Sequence, residues 1–474
     1  MNYTASIGLE VHVQLKTNTK IFCGCRNEFG DDPNTSVCPV CLGYPGSLPV
    51  MNEEAIKLTI LTGLMIGSEI NGYSKFDRKN YFYPDMPKNY QISQYDKPLC
   101  IGGSVEIDLD GKKKTIGITR IHLEEDVGKN MHFEASSGID FNRAGTPLME
   151  IVTEPEMASA DEAFAFLAAL KQILLYGDIS NCNLEQGNMR CDVNASVRPE
   201  GEEKLGVKTE IKNMNTFKGV RQALSYEIKR QVSVLEKGGT ITQETRRWDP
   251  DAEVTQGMRS KEYAHDYRYF PEPDLMPVVI SKEQVAEWET ELPELPRHRL
   301  ERLIKEYGIP EYDAGVLVAD KAVADFYEET AKLSGNAKGA SNWIMTEVLR
   351  CLSEKEMEIG QSAITPDALA KLIKLVDKKA INMPSAKEVF AVLFEKGGDP
   401  EAIVKEKGLA QVSDSGAIDE FVEKAIADNP QPVEDYKGGK KASLQFLVGQ
   451  VMKLSRGKAN PQVAIEALKR RLDG

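Results

Sequence analysis

From Ile7 the chain alternates with a period of two. Ile7, Leu9, Val11, Val13 and Leu15 fall on one face, and Glu10, His12 and Gln14 on the other. Successive side chains of an extended chain point to opposite sides, so this run reads as a strand with one apolar and one polar face. The pattern returns at 190–198, where Arg190, Asp192, Asn194, Ser196 and Arg198 oppose Cys191, Val193, Ala195 and Val197. At 207–212, Lys208, Glu210 and Lys212 oppose Val207, Thr209 and Ile211. In 116–126, Arg120, His122 and Glu124 share a face against Ile121, Leu123 and Glu125, and Asp126 and Gly128 mark an end or a bulge. Alternating strands joined by turns predict a largely antiparallel sheet with one polar face.

Helices are expected around this sheet. Ser159 with Glu162 reads as a capping box before an apolar run ending near Tyr176, and the amphipathic stretch 218–237 stops at Gly238-Gly239. After Leu292-Pro-Glu-Leu-Pro296 the strand patterns cease. Thr365-Pro366-Asp367 starts one helix, Pro384 opens another that closes at Gly397-Gly398, and a break at 407–414 precedes a small helical module. The expected fold is α+β. A sheet-rich core with flanking helices spans 1–293, a helical connector 294–410 and a basic helical tail 411–474.

Charge and hydropathy narrow the class. With 41% apolar and 28% charged residues the chain reads as an ordinary globular protein. No signal or transit pattern precedes Ile7, and the longest apolar stretch, near Leu58–Ile66, is broken by Thr62 and Gly63. A cytoplasmic protein without a membrane partner is expected. A net charge of −14 argues against a broad nucleic-acid footprint but not a local one. Residues 431–474 carry nine Lys/Arg against four acids, either a solvated tail or a basic surface.

Several clusters can carry chemistry. Glu10, His12, Glu124, Glu125, Glu150, Asp192 and Glu210 are carboxylates and one imidazole on or near the strands. Either the polar face meets water, or a cation joins the acids; oxygen-rich sites with one imidazole suit Mg²⁺ or Mn²⁺. Gly145 and Pro147 feed a short run, Leu148 to Val152, holding the single acid Glu150, which is either solvent-facing or a functional ligand. Cys23-Gly-Cys25 and Cys38-Pro-Val-Cys41 are two close pairs twelve residues apart across a loop-like stretch. Four such thiolates can meet at a tetrahedral zinc, and four protein ligands leave no open position, so that zinc would be structural. The alternative is unliganded thiols; Cys100, Cys182, Cys191 and Cys351 are scattered and read as buried small residues.

Two loops, Lys79-Asn-Tyr81-Phe-Tyr-Pro-Asp85 with Pro87, Lys88 and Tyr90, and 266–274, mix aromatic rings with cations. They can stack a base and hold a phosphate, or pack under a surface loop. No GxxxxGK[ST] run and no GxGxxG after a strand is present, so a nucleotide site would be of another kind.

The stretch Asp140-Phe-Asn142-Arg143-Ala-Gly145-Thr-Pro147-Leu-Met-Glu150 closely resembles the signature of the B subunit of bacterial aspartyl/glutamyl-tRNA amidotransferase. Gly8-Leu-Glu-Val-His12, both aromatic loops, Phe446-Leu-Val-Gly-Gln450 and Asn460-Pro461 extend the resemblance along the whole chain. It implies a cradle-shaped, synthetase-like catalytic core, a zinc insertion at 23–41, and a C–N ligase using glutamine as amido donor. On this resemblance ATP would phosphorylate the side-chain carboxylate of misacylated Glu-tRNA(Gln) or Asp-tRNA(Asn), and ammonia would replace phosphate. The resemblance implies His12, Glu125 and Glu150 as direct Mg²⁺ ligands. Glu10, Glu124, Asp192 and Glu210 would act as second-metal, water-mediated or ammonia-orienting groups. Lys79, Tyr81, Arg143 and Arg190 would hold phosphate or the substrate carboxylate. Lys437, Lys440, Lys441, Lys453, Arg456 and Lys458 would grip the tRNA. An amidase A subunit and a small C subunit would complete a heterotrimer, the chain itself having no amidase signature. The competing readings are a zinc-stabilised tRNA-binding protein without chemistry, and an ATP-dependent ligase acting on free amino acids.

Overall fold

The computed structural model describes residues 2–109, 111–258, 267–410, 415–455 and 459–473. Asp266 of the second aromatic loop, Arg456 and Lys458 lie outside the described residues. The chain divides into two compact units, 1–295 and 296–474.

The predicted alternations become the centre of the first unit. Strands β1 (Tyr3–Gln14), β2 (Lys112–Glu125), β3 (Pro147–Thr153), β4 (Met189–Pro199) and β5 (Thr209–Lys212) lie side by side in the order β5-β4-β1-β3-β2, all antiparallel. Further strands extend both edges to a 10-stranded sheet, in which Thr245–Asp249 runs parallel to β5. Beside it, Asp77–Asn80, Tyr90–Ser93 and Phe270–Pro271 form a separate three-stranded sheet from the two aromatic loops.

One face of the large sheet is dry. Ile7, Leu9, Val11 and Val13 are buried with Ile121, Leu123, Met149, Ile151 and Val193 in one cluster. Over it lie α1 (Glu53–Met65), α2 (Ala160–Tyr176) and α3 (Phe217–Glu236), contributing Ile60, Phe166, Leu170, Leu174, Val220 and Leu224. Each such side chain contributes roughly 1.5–3 kcal/mol on burial, so a one-residue slip of β1 would be prohibitive. The register is thereby set, and with it the order of groups on the opposite, polar face.

The predicted α2 start is present, with a difference. Ser159 Oγ accepts from Glu162 N, but the Glu162 carboxylate accepts from Ala158 N and Lys114 Nζ rather than closing on Ser159. Under α3 sits a group the sequence does not announce. Glu227 is fully buried and accepts from Thr209, Thr255, Arg230 and Gln231.

The second unit is helical throughout its described residues, from Pro296–Tyr307 to Pro461–Leu472. Thr365 caps the helix Pro366–Asp377 with Pro in its first turn, and Asn382 caps Met383–Lys396, which stops at Gly397. It holds two separate apolar clusters, one between Leu303 and Val404 and one between Ile418 and Leu472.

Candidate active site

The ladder places chemistry in rows across the polar face. His12 on β1 lies opposite Glu150 on β3 and Arg190 on β4, and Glu150 in turn lies opposite His122 on β2. One row along, Glu10 faces Asp192. His12 Nε2 stands 3.2 Å from Glu150, 3.7 Å from Glu124 and 3.8 Å from Glu10. Ligand atoms of His12, Glu124 and Glu150 lie within 4.8 Å of one another, as do those of Glu10, His12 and Asp192. Neighbouring ligands of an octahedral ion with bonds of about 2.1 Å are about 3 Å apart, so the first group fits a small divalent cation.

The charges are strongly coupled. Burial alone would lower the His12 pKa, but Glu150, Glu124 and Glu10 outweigh it and push it up to about 9. Burial would raise Glu150, yet His122, His12 and Lys79 hold it well below the ordinary carboxylate range. For Glu10 burial wins, reinforced by Glu150 and Asp192, and its pKa rises. His122 is buried, with Nε2 3.7 Å from both Glu124 and Glu150.

Lys79, expected at a substrate phosphate, faces this cluster. Burial opposes its charge, but Glu124 and Glu150 keep its pKa above the ordinary value. Its ammonium lies 5.1 Å from the Tyr267 ring and 5.9 Å from Tyr81, and Tyr269 stacks on Tyr95 at 4.3 Å. The two aromatic loops therefore meet around one cation whose charge is felt by Glu124 and Glu150.

Four expected residues make their contacts outside the His12 group. Glu125 does not join the His12 cluster, because in a pleated strand it points away from Glu124. It pairs with Lys88 and accepts from Ile92 N, so Glu124 stands where Glu125 was expected. Glu210 shares the polar face but accepts from Thr245 Oγ1 at 2.9 Å and lies 3.6 Å from Lys212. Lys212 also pairs with Asp192 at 2.6 Å, so a side-chain cation already serves that pair. Arg143 donates to the carbonyls of Val127 and Gly128. Arg190 donates to buried Asp126, which accepts from Gln14 as well. Arg143 and Arg190 line an open cleft of about 980 Å³ with Lys16, Asn27 and Asn188.

The cysteine quartet converges. The Sγ atoms of Cys23, Cys25, Cys38 and Cys41 lie within 4.8 Å of one another, with Cys38 and Cys41 3.9 Å apart. The edge of a tetrahedron with Zn–S bonds of about 2.3 Å is about 3.8 Å, so the four residues fit zinc. Much of the 140–145 signature serves this loop. Asp140 accepts from Asn34 N, Asn142 accepts from Ser36 N, and Asn142 donates to the Asp32 carbonyl. Gly145 turns at φ +83°, a conformation that favours glycine. In the tail, Lys437, Lys440, Lys441 and Lys453 are exposed.

Two family models match, "GatB/GatE catalytic domain" over residues 5–286 and "GatB domain" over 325–472. The B subunit of the aspartyl/glutamyl-tRNA(Asn/Gln) amidotransferase of Caldicellulosiruptor bescii is 54% identical over the full length of both chains. Relatives of the same name from Carboxydothermus hydrogenoformans (54% identical, 99% of each chain) and Syntrophotalea carbinolica (50%, 100% of this chain and 99% of the other) agree. The chain belongs to the amidotransferase B-subunit family. Within this family member, the groups that sequence reasoning left unassigned are His122, Asp126, Lys88 and Lys20. Period two puts His122 on the right face, but its approach to Glu150 depends on β2 lying beside β3. The others act across loops distant in sequence.

Proposed function

We propose that this chain carries the kinase and transferase site of an ATP-dependent ligase in protein biosynthesis, which converts Glu-tRNA(Gln), Asp-tRNA(Asn) or both into the cognate amide. The observation that carries this reading is the convergence of His12, Glu124 and Glu150, with Lys79 in their field, in a chain similar to amidotransferase B subunits over its whole length. A carboxylate is a poor acyl donor. Transfer of the γ-phosphoryl group of ATP to the Glu or Asp side chain gives an acyl phosphate, and ammonia then displaces inorganic phosphate.

His12, Glu124 and Glu150 would hold Mg²⁺, with Glu10 and Asp192 close enough to take water-mediated or second-ion contacts. Mg²⁺ supplies charge neutralisation on the nucleotide phosphates when bound. Lys79, fixed between Tyr81 and Tyr267, contributes positive charge where phosphate oxygens would lie above the acids. Arg190, steadied by Asp126, presents its guanidinium to the cleft and suits the substrate carboxylate or phosphate. Arg143 acts through the 127–128 backbone in this reading rather than on substrate. The cysteine quartet would bind structural zinc. An acyl phosphate hydrolyses readily, so ammonia arrives by a protected route from an amidase A subunit, assembled with a small C subunit. The exposed tail lysines, with Arg456 and Lys458, would grip the tRNA body and make binding salt-dependent. No described helix is long and apolar enough to cross a membrane. The location proposed for a tRNA enzyme of this kind is the cytoplasm.

The test is amidation of mischarged Glu-tRNA(Gln) or Asp-tRNA(Asn) with Mg²⁺-ATP and ammonium chloride, with and without the amidase partner. Ammonium-supported amidation with tRNA-dependent phosphate release is expected. No phosphate release with either tRNA under any combination refutes the kinase reading and leaves a tRNA-binding protein without chemistry.

A further inference from the structure

We propose that Lys20 is the charge-compensating and positioning residue of the cysteine centre, joining a bound zinc to the 141–146 turn beside the active site. This rests on reading the quartet as a zinc site. Lys20 has no exposed surface, although lysine is among the residues least often fully buried. A buried ammonium needs partners for its three donors, and Lys20 Nζ has three. They are the Ser36 carbonyl at 2.8 Å, the Phe141 carbonyl at 3.4 Å and Cys41 Sγ at 3.7 Å.

The three acceptors belong to different parts of the fold, and that gives the residue its role. Four thiolates around a dication carry a net charge of −2. A cation within 4 Å of one sulfur, away from water, offsets that excess where screening is weak. Ser36 lies within the cysteine loop, whereas Phe141 lies in the turn whose Asp140 and Asn142 already hold Asn34, Ser36 and Asp32. The backbone around Lys20 is tied to both sides: its own N–H donates to Cys25 O, and Ile21 N donates to Gly145 O. From the turn the connection continues, because Gly145 N donates to Asp126 O and Asp126 N donates to Thr146 O. Asp126 is the residue that steadies Arg190. One ammonium thus links the metal ligands, their loop and a turn bonded to the catalytic sheet.

The test uses the full chain with Lys20→Met, which keeps an unbranched stem without charge, and Lys20→Gln, which keeps a donor without charge. Zinc is titrated against a chelator of known affinity, and the thiolate-to-cobalt charge-transfer band is recorded on Co²⁺-loaded protein. Loss of an outer-shell partner weakens metal binding about 10–100-fold. That loss is expected for Lys20→Met, with a smaller loss for Lys20→Gln. The cobalt band should move to lower energy in both, since a thiolate without its cation is more electron-rich. A merely structural role would not move that band. Affinity within about threefold of the parent together with an unshifted band overturns the proposal. If the parent chain binds no zinc, the quartet reading itself fails, a separate result from a failure of Lys20. Should Lys20→Met not fold, Lys20→Gln decides on the same two readouts.

Discussion

Replacing Asp126 by Asn should loosen the first unit and the active site together. Asp126 has 2% of its side chain exposed and accepts from Arg190 at 2.7 Å and Gln14 at 2.9 Å, with Arg143 at 3.6 Å. Removing one partner of a buried ion pair costs about 3–5 kcal/mol. Arg190 keeps 38% of its side chain exposed, so screening places the loss at the lower end, about 3 kcal/mol. The sign with pH follows from the shift. Burial would raise the Asp126 pKa, but Arg190, Arg143 and the bond from Gln14 outweigh it and hold it below the ordinary value. Its contribution is therefore fully present above the unfolded-state pKa, near 3.9, and is lost as pH falls through the folded value. The assay is guanidinium unfolding at pH 7 and near pH 3. Fluorescence is read in a Trp343→Phe background, which leaves Trp248 and Trp288, both in the first unit. At pH 7 the variant should be less stable by about 3 kcal/mol, and the gap should shrink on acidification. Amidation should fall with Arg190 released. A difference below about 1 kcal/mol, or a gap that widens at low pH, refutes the argument.

Three further outcomes follow from the site. Glu150→Gln leaves the His12 group without its best-placed carboxylate, and tRNA-dependent phosphate release should drop about a thousandfold, equivalent to about 4 kcal/mol. Glu124→Gln should raise the Mg²⁺ requirement at least about tenfold, whereas Glu125→Gln should act by releasing Lys88 with little change in that requirement; a Mg²⁺ titration separates them. Removal of zinc by a chelator should loosen the 140–145 turn, seen as faster amide exchange at Asn142 and Gly145, and restored exchange protection on adding zinc completes the check.

The chain's alternating residues carried much of the outcome by themselves. Period two in 7–15, 116–126 and 190–198 determined which side chains would be dry and which would share the polar face, because pleating leaves no other choice. His12, Glu124 and Asp192 were legible for that reason, Glu150 as the lone acid of the run after Gly145 and Pro147 and through the family signature, and Cys23 to Cys41 through their spacing. The same alternation already separated Glu125 from Glu124, a separation the family resemblance overrode. What no periodicity contains is strand order. Glu150 stands between His12 and His122 only because β3 is hydrogen-bonded to both β1 and β2. Likewise, the meeting of the Lys79 and Tyr267 loops, the Asp126–Arg190 pair and the burial of Lys20 against Cys41 join residues far apart in sequence. Local pattern is set by the geometry of one strand or turn, whereas these contacts arise from packing between segments, which tertiary structure alone decides.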